Sequence, residues 1–250
     1  MAAFPVPRRP LKLAVAVVLA LGLLPVPGAA PATAAKEPPY RLNLGSSRDY
    51  VRQTNFVQCV GASVQMMLNI IEPGADRTRK TQRELQVTAR TWSGPRPDGT
   101  ARRGAGVTGW AAALVINRAG PYRIVGADTL QEAMQVAAAA IREYRRPVGL
   151  LVWQGRHAWV MSGFESTRDP VDGSFRVTRA YILDPLHPYG SKVWGPSPRP
   201  GSAISVAAVG RQFVPRRTGG SAWNRLPGMR RFAGKYVLVV PTGQVRPGID

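Results

Sequence analysis

The sequence predicts an α+β domain, on three observations. Between residues 59 and 144 the apolar positions fall in long runs of helical length. After Pro147 they fall in short runs rich in Val, Ile, Leu and aromatics, and Gly, Pro and Asp turns separate those runs. Helices first and strands afterwards point to helices packed on an antiparallel sheet rather than to a parallel βαβ fold. With 250 residues, 44% of them hydrophobic, the chain can bury a core of its own and is too apolar for a disordered basic tail, despite a formal net charge of +20.

Taken in order, residues 1–34 read as a cleavable signal peptide. Arg8, Arg9 and Lys12 precede an apolar run at 13–24, and Ala32-Thr33-Ala34 supplies a small-residue cleavage site. That run is shorter than the ~20 residues that cross a bilayer, so no transmembrane anchor is expected after cleavage. The protein is expected to be secreted, with a loose twin-arginine match at Arg8-Arg9. Residues 35–48, with Pro38, Pro39 and Gly45-Ser46-Ser47, are expected to form a flexible arm, with order beginning near Asp49.

The folded domain is expected over 49–242. Residues 59–71, CVGASVQMMLNII, are almost continuously apolar and end at Pro73-Gly74, which predicts a buried helix. Asp76 is expected to cap a second helix over 77–92 that turns Leu85 and Thr88 or Ala89 inward. A loop at 93–106 leads to a third helix at 107–118 and a short strand at 122–125. Asp128 or Thr129 opens a fourth, alanine-rich helix that closes before Pro147. Strands follow at 148–153, 157–164, 175–183 and 236–240. The stretch 190–227, dense in Gly, Pro, Ser and Arg, reads as a surface excursion with one short element near 203–209, and 243–250 as a frayed tail.

The chain has one cysteine, which excludes an intrachain disulfide and a Cys-cluster zinc site. Cys59 falls at the start of the first helix, where the dipole and free N–H groups stabilise a thiolate. A lone cysteine there is either a nucleophile or a small buried apolar residue. Gln53, six residues earlier in Q-T-N-F-V-Q-C-V-G-A, could join the Cys59 N–H in holding an oxyanion, although it or Gln58 could equally be an exposed loop residue. Of the two histidines, His157 stands at a strand start in G-R-H-A-W-V-M-S-G-F, while His187 is a competing base in the loop L-H-P-Y. If the strands after His157 and before Asp184 pair about a loop centred near Pro170-Val171, Asp184 faces His157 and could orient it. Cys59, His157, Asp184 and His187 have no zinc-motif spacing, and no cofactor or metal is expected.

A helix-capping cysteine with glutamine six residues ahead, a later histidine at a strand start and an Asp-Pro ending the next strand resemble the papain-like cysteine peptidases. Q-T-N-F-V-Q-C-V-G-A-S-V-Q-M-M-L, R-H-A-W-V-M-S-G-F and Y-I-L-D-P are most similar to cysteine peptidase family 39, whose founding members cleave double-glycine leaders from bacteriocin precursors. The similarity covers roughly 49–72 and 147–185. It implies a papain-like fold with Cys59 as nucleophile, Gln53 as oxyanion donor, His157 as general base and acid, and Asp184 as orienting group. The family's Cys-Gly-Pro opening is Cys59-Val60-Gly61 here, and Arg156 stands where many relatives have glycine. The leader-processing substrate is not carried over.

The expected activity is therefore a secreted cysteine peptidase acting on a peptide or protein, with peptidoglycan peptides and acyl transfer open to the same triad. The alternative is a catalytically silent domain of the same fold. Its partner would be an anionic envelope polymer or a protein, which the net charge suits. The scattered arginines lack the aromatic interleaving of a nucleic-acid reader.

Overall fold

The computed structural model describes residues 39–243 except 75, 97, 98, 101, 220–224 and 227. The signal-peptide reading of residues 1–34 and nearly all of the frayed-tail reading lie outside the described residues.

Among the described residues twelve regular helices and strands follow one another: β1 (Tyr40–Asn43), α1 (Cys59–Ile71), α2 (Arg79–Thr91), α3 (Val107–Ile116), β2 (Tyr122–Ala127), α4 (Leu130–Tyr144), β3 (Val148–Val152), β4 (His157–Ser166), β5 (Val177–Leu183), β6 (Ala203–Ser205), α5 (Val206–Gly210) and β7 (Tyr236–Pro241). The strands form one antiparallel sheet in the order β2-β7-β3-β4-β5-β6. β1 joins the edge of β4 that β3 leaves free, pairing Tyr40 with Ser166 and Asn43 with Gly163. The fold is α+β, as the sequence predicts.

Two apolar cores follow from the alternation of side chains along the central strands. Trp159, Met161, Leu150 and Leu238 pack with Met134 and Ile141 of α4 on one face. Ala158, Val160, Val237 and Val239 pack with Val64, Met67, Trp110 and Leu114 of α1 and α3 on the other. Covered on both faces, β4 reads as a nearly continuous apolar run rather than a strict alternation. α1 is buried along most of its length, and the backbone of α2 comes so near it that a Cβ on Gly61 would meet the Gln82 carbonyl at 2.7 Å. Glycine at position 61 is thus a packing requirement of the α1–α2 contact.

Several expectations are corrected. The arm expected to be flexible up to residue 48 is ordered from Tyr40, because β4 is ten residues long and β3 covers only its first half. α2 is capped by Thr78, whose hydroxyl accepts the Thr81 N–H, while Asp76 accepts the Thr78 N–H at 2.7 Å. The β4–β5 ladder sets Val160 against Leu183 and Met161 against Ile182, two residues out from the expected register, with bulges at Met161/Gly163 and Glu165/Ser166. The 190–227 stretch is not merely surface: Ser197, Val209, Gln212, Phe213 and Arg216 are buried.

Candidate active site

Cys59 is the first residue of α1, half-buried, with Gln58 as an N-cap whose side chain caps nothing. The loop before it is held by two glutamines of α2 placed one turn apart. Gln82 accepts the Thr54 N–H at 2.8 Å and donates to the Arg52 carbonyl at 2.9 Å. Gln86 accepts the Gly61 N–H at 2.8 Å and donates to the Val57 carbonyl at 3.0 Å. Gln58 O accepts the Ala62 N–H. Among the described residues nothing accepts the Cys59 N–H, so one helix-end donor stays open beside the thiol.

Gln53 is 8% exposed, and its backbone N–H donates to the Pro185 carbonyl at 2.8 Å, which fastens this loop to the residue after Asp184. Its side-chain amide donates one hydrogen to the Asn55 carbonyl at 2.8 Å, leaving the second for another acceptor.

His157 opens β4, and Asp184 immediately follows the end of β5. Their side chains meet, Nε2 to Oδ1 at 2.7 Å, with the imidazole 4% and the carboxylate 0% exposed. The register error is harmless because a slip of two residues keeps a side chain on the same face of a strand. Nε2 being taken, Nδ1 is the nitrogen left to face the Cys59 thiol, which acts electrostatically on the same ring. Burial works against the protonated imidazole, yet the bonds and charges of Asp184 and Cys59 outweigh it and raise His157 to about 9. Burial likewise works to raise Asp184, but His157, the Ser197 hydroxyl and the Leu186 N–H together hold it below the ordinary carboxylate range.

His187 is placed elsewhere. Its ring lies edge-on to Tyr50, its carbonyl accepts the Tyr50 hydroxyl at 2.7 Å, and it is His157 that Asp184 holds. Among the described residues no group of three His, Cys, Asp or Glu could hold a metal ion.

Three residues of this site carry no sequence signal of their own. Trp153 stacks on His157 with ring centroids 4.2 Å apart and planes 22° from parallel. Its indole N–H donates to Gln212 Oε1 at 3.0 Å, and Gln212 donates in turn to the Pro196 carbonyl at 2.9 Å. Ser197 donates to the Oδ2 of Asp184. The chain thus closes a circuit from His157 through Asp184, Ser197, Pro196, Gln212 and Trp153 back to His157. Trp153 and Gln154 hold left-handed backbone, φ 55° and 59°, and Gly155 continues the turn at 95°. Such dihedrals in non-glycine residues persist only where surrounding contacts dictate them.

Fold and site together define an α+β protein with a helix-end cysteine facing a buried His–Asp pair. No family model matches the chain, and no curated protein matches it. Among solved structures it is similar to a double-glycine motif protease from an AMS/PCAT transporter, crystallised with the leader peptide. That likeness has 14% identity and a TM-score of 0.37, over 77% of this chain and 91% of the other.

Proposed function

We propose that this protein is a thiol peptidase of the papain-like kind, exported by its N-terminal signal. The observation that supports it most is the buried His157–Asp184 pair, whose imidazole is raised in part by a cysteine at a helix N-terminus. A histidine raised to about 9 carries its proton at neutral pH, so the Cys59 sulfur faces an imidazolium when it attacks. Sγ bonds to the scissile carbonyl carbon, and the oxygen takes the negative charge. The Cys59 N–H and the second amide hydrogen of Gln53 receive that oxyanion. His157 then gives its proton to the departing amine as the C–N bond breaks, leaving a thioester on Cys59. Water attacks the thioester, giving a proton back to His157, and the carboxylic acid product leaves with Cys59 free again. Asp184 keeps the ring oriented and favours its charged form throughout.

The test is a pool of internally quenched peptides incubated with the wild type, Cys59→Ala and His157→Ala, with products identified by mass spectrometry. Cleavage by the wild type alone is expected. Cleavage that persists at full rate in Cys59→Ala eliminates the peptidase reading.

A further inference from the structure

The short connection between β3 and β4 carries an aromatic ring to His157. Val152 pairs with His157, and the chain between them turns through Trp153, Gln154 and Gly155 in left-handed backbone. A hairpin turn made of glycine or asparagine holds such dihedrals unaided, whereas a tryptophan in one has to be held from outside. One residue of the 190–227 stretch does this. The Gln212 carbonyl accepts the Trp153 N–H at 2.9 Å, and the Gln212 side-chain oxygen accepts the indole N–H at 3.0 Å. Gripped at backbone and side chain together, the indole lies nearly flat on the imidazole.

The same amide reaches the other member of the pair. Its nitrogen donates to the Pro196 carbonyl at 2.9 Å, and the next residue, Ser197, donates to Asp184 Oδ2. The 196–197 backbone is fixed in its own right. Ser191 and Gly195 exchange backbone hydrogen bonds at 2.8 and 2.9 Å, and a Cβ added to Gly190 would meet Ser197 N at 2.5 Å. Gln212 is equally immobile, at 6% exposed, with its N–H on the Val209 carbonyl at 3.0 Å. Phe213 beside it is fully buried and lies edge-on to Tyr236 of β7, with centroids 5.3 Å apart. A leucine or methionine could fill this place, but it would leave the indole N–H and the Pro196 carbonyl without partners.

We propose that Gln212 is a positioning residue for the His157–Asp184 pair, its one amide holding both the indole that fixes the plane of the imidazole and the turn that brings Ser197 to the carboxylate. This rests on the peptidase reading above. A ring stacked at 4.2 Å blocks the imidazole from turning about Cβ–Cγ, so Nε2 stays on Asp184 and Nδ1 stays available to the reacting groups.

The experiment uses the full chain carrying His187→Gln, so that the histidine ring protons in an NMR spectrum belong to His157 alone. Under the indole face these protons are expected upfield of free histidine. Gln212→Met keeps the length of the side chain and removes both amide bonds, and it should move the ring protons towards the free value. On the best peptide of the quenched pool it should lower kcat at least about tenfold while KM stays within about twofold. Trp153→Phe keeps a ring and loses the indole N–H, so the double variant should lose less than the product of the two single losses. Phe213→Leu loosens the same segment without removing a Gln212 bond and should leave both the ring protons and kcat near wild type. Unmoved ring protons in Gln212→Met, losses that multiply in full, or an equal loss in Phe213→Leu each overturn the role. Should Gln212→Met fail to fold, Trp153→Phe decides: a lower kcat at unchanged KM upholds the role and an unchanged kcat overturns it. If the wild type cleaves no peptide, the peptidase reading fails, and the ring protons still decide whether Gln212 positions His157.

Discussion

Replacing Asp184 with asparagine removes one negative charge from the interior and almost no volume. The carboxylate is fully buried and accepts from His157 at 2.7 Å, from the Leu186 N–H at 2.8 Å and from Ser197. The asparagine carbonyl can still accept from Nε2, so orientation is largely kept and the charge is what is lost. His157 stands at about 9 against an ordinary 6.5 although burial pushes the other way, a difference of roughly 3 kcal/mol that Asp184 and Cys59 supply together. With the charge gone, burial dominates and the imidazole should return to about 6.5 or below. At pH 7.5 the protonated fraction then falls from nearly all to about a tenth. Only two histidines are present, so in a His187→Gln background the ring signals in an NMR titration belong to His157 alone. The sign for stability follows. A folded value raised above the unfolded one stabilises fully below pH 6.5, and that contribution is lost as pH rises through about 9. Asp184→Asn should therefore unfold at lower urea than wild type near pH 6, with the gap narrowing towards pH 9. A His157 midpoint within half a unit of wild type in Asp184→Asn would refute the coupling, and with it the account of how the thiol is activated.

Other changes separate the roles of neighbouring groups. Ser197→Ala leaves a buried carboxylate oxygen short of a donor, at a cost of about 1–3 kcal/mol. Asp184 is depressed in the fold, so its contribution is present above the ordinary carboxylate range and lost as pH falls through the folded value. Losing the Ser197 donor raises that value, and the acid-unfolding midpoint of Ser197→Ala should move to higher pH. Gln53→Ala should lower kcat by about 10²-fold. It should leave alkylation of Cys59 by a small neutral reagent near its wild-type rate, and a parallel fall in both would argue for general damage to the loop. Gln86→Leu strands the Gly61 N–H and the Val57 carbonyl, and it should cost several kcal/mol by chemical denaturation together with slower Cys59 alkylation. An unchanged midpoint would show that these two bonds do not hold the thiol loop.

The parts legible in the sequence are those set by local chemistry. α1 announces itself through thirteen nearly continuous apolar residues and a Pro-Gly stop, and β4 and β5 through aromatic and branched residues between turns. The Cys59, His157 and Asp184 positions could be named because each sits at the end of such an element. β1 was not legible, since four residues flanked by prolines and glycine show no period long enough to read. Neither were Gln82, Gln86, Ser197 and Gln212. A polar side chain in a turn-rich or charged stretch looks solvated until the partner that buries it is known, and these partners lie 13 to 59 residues away. The β4–β5 register failed at the connection: Ser166 already pairs with Val177, which centres the turn one residue later than expected, while the two bulges, one extra residue on each strand, cancel.

The place of β7 has a consequence for how the molecule comes into being. The last strand among the described residues is not at an edge but lies between β2 and β3 in the sheet. Until residues 236–241 are supplied, β2 has no partner strand and β3 is paired on one side only. A growing or partly threaded polypeptide can therefore assemble its helices early yet cannot close its sheet. Cys59 precedes β7 by well over a hundred residues, so the thiol is in place in the chain long before the scaffold under His157 can close.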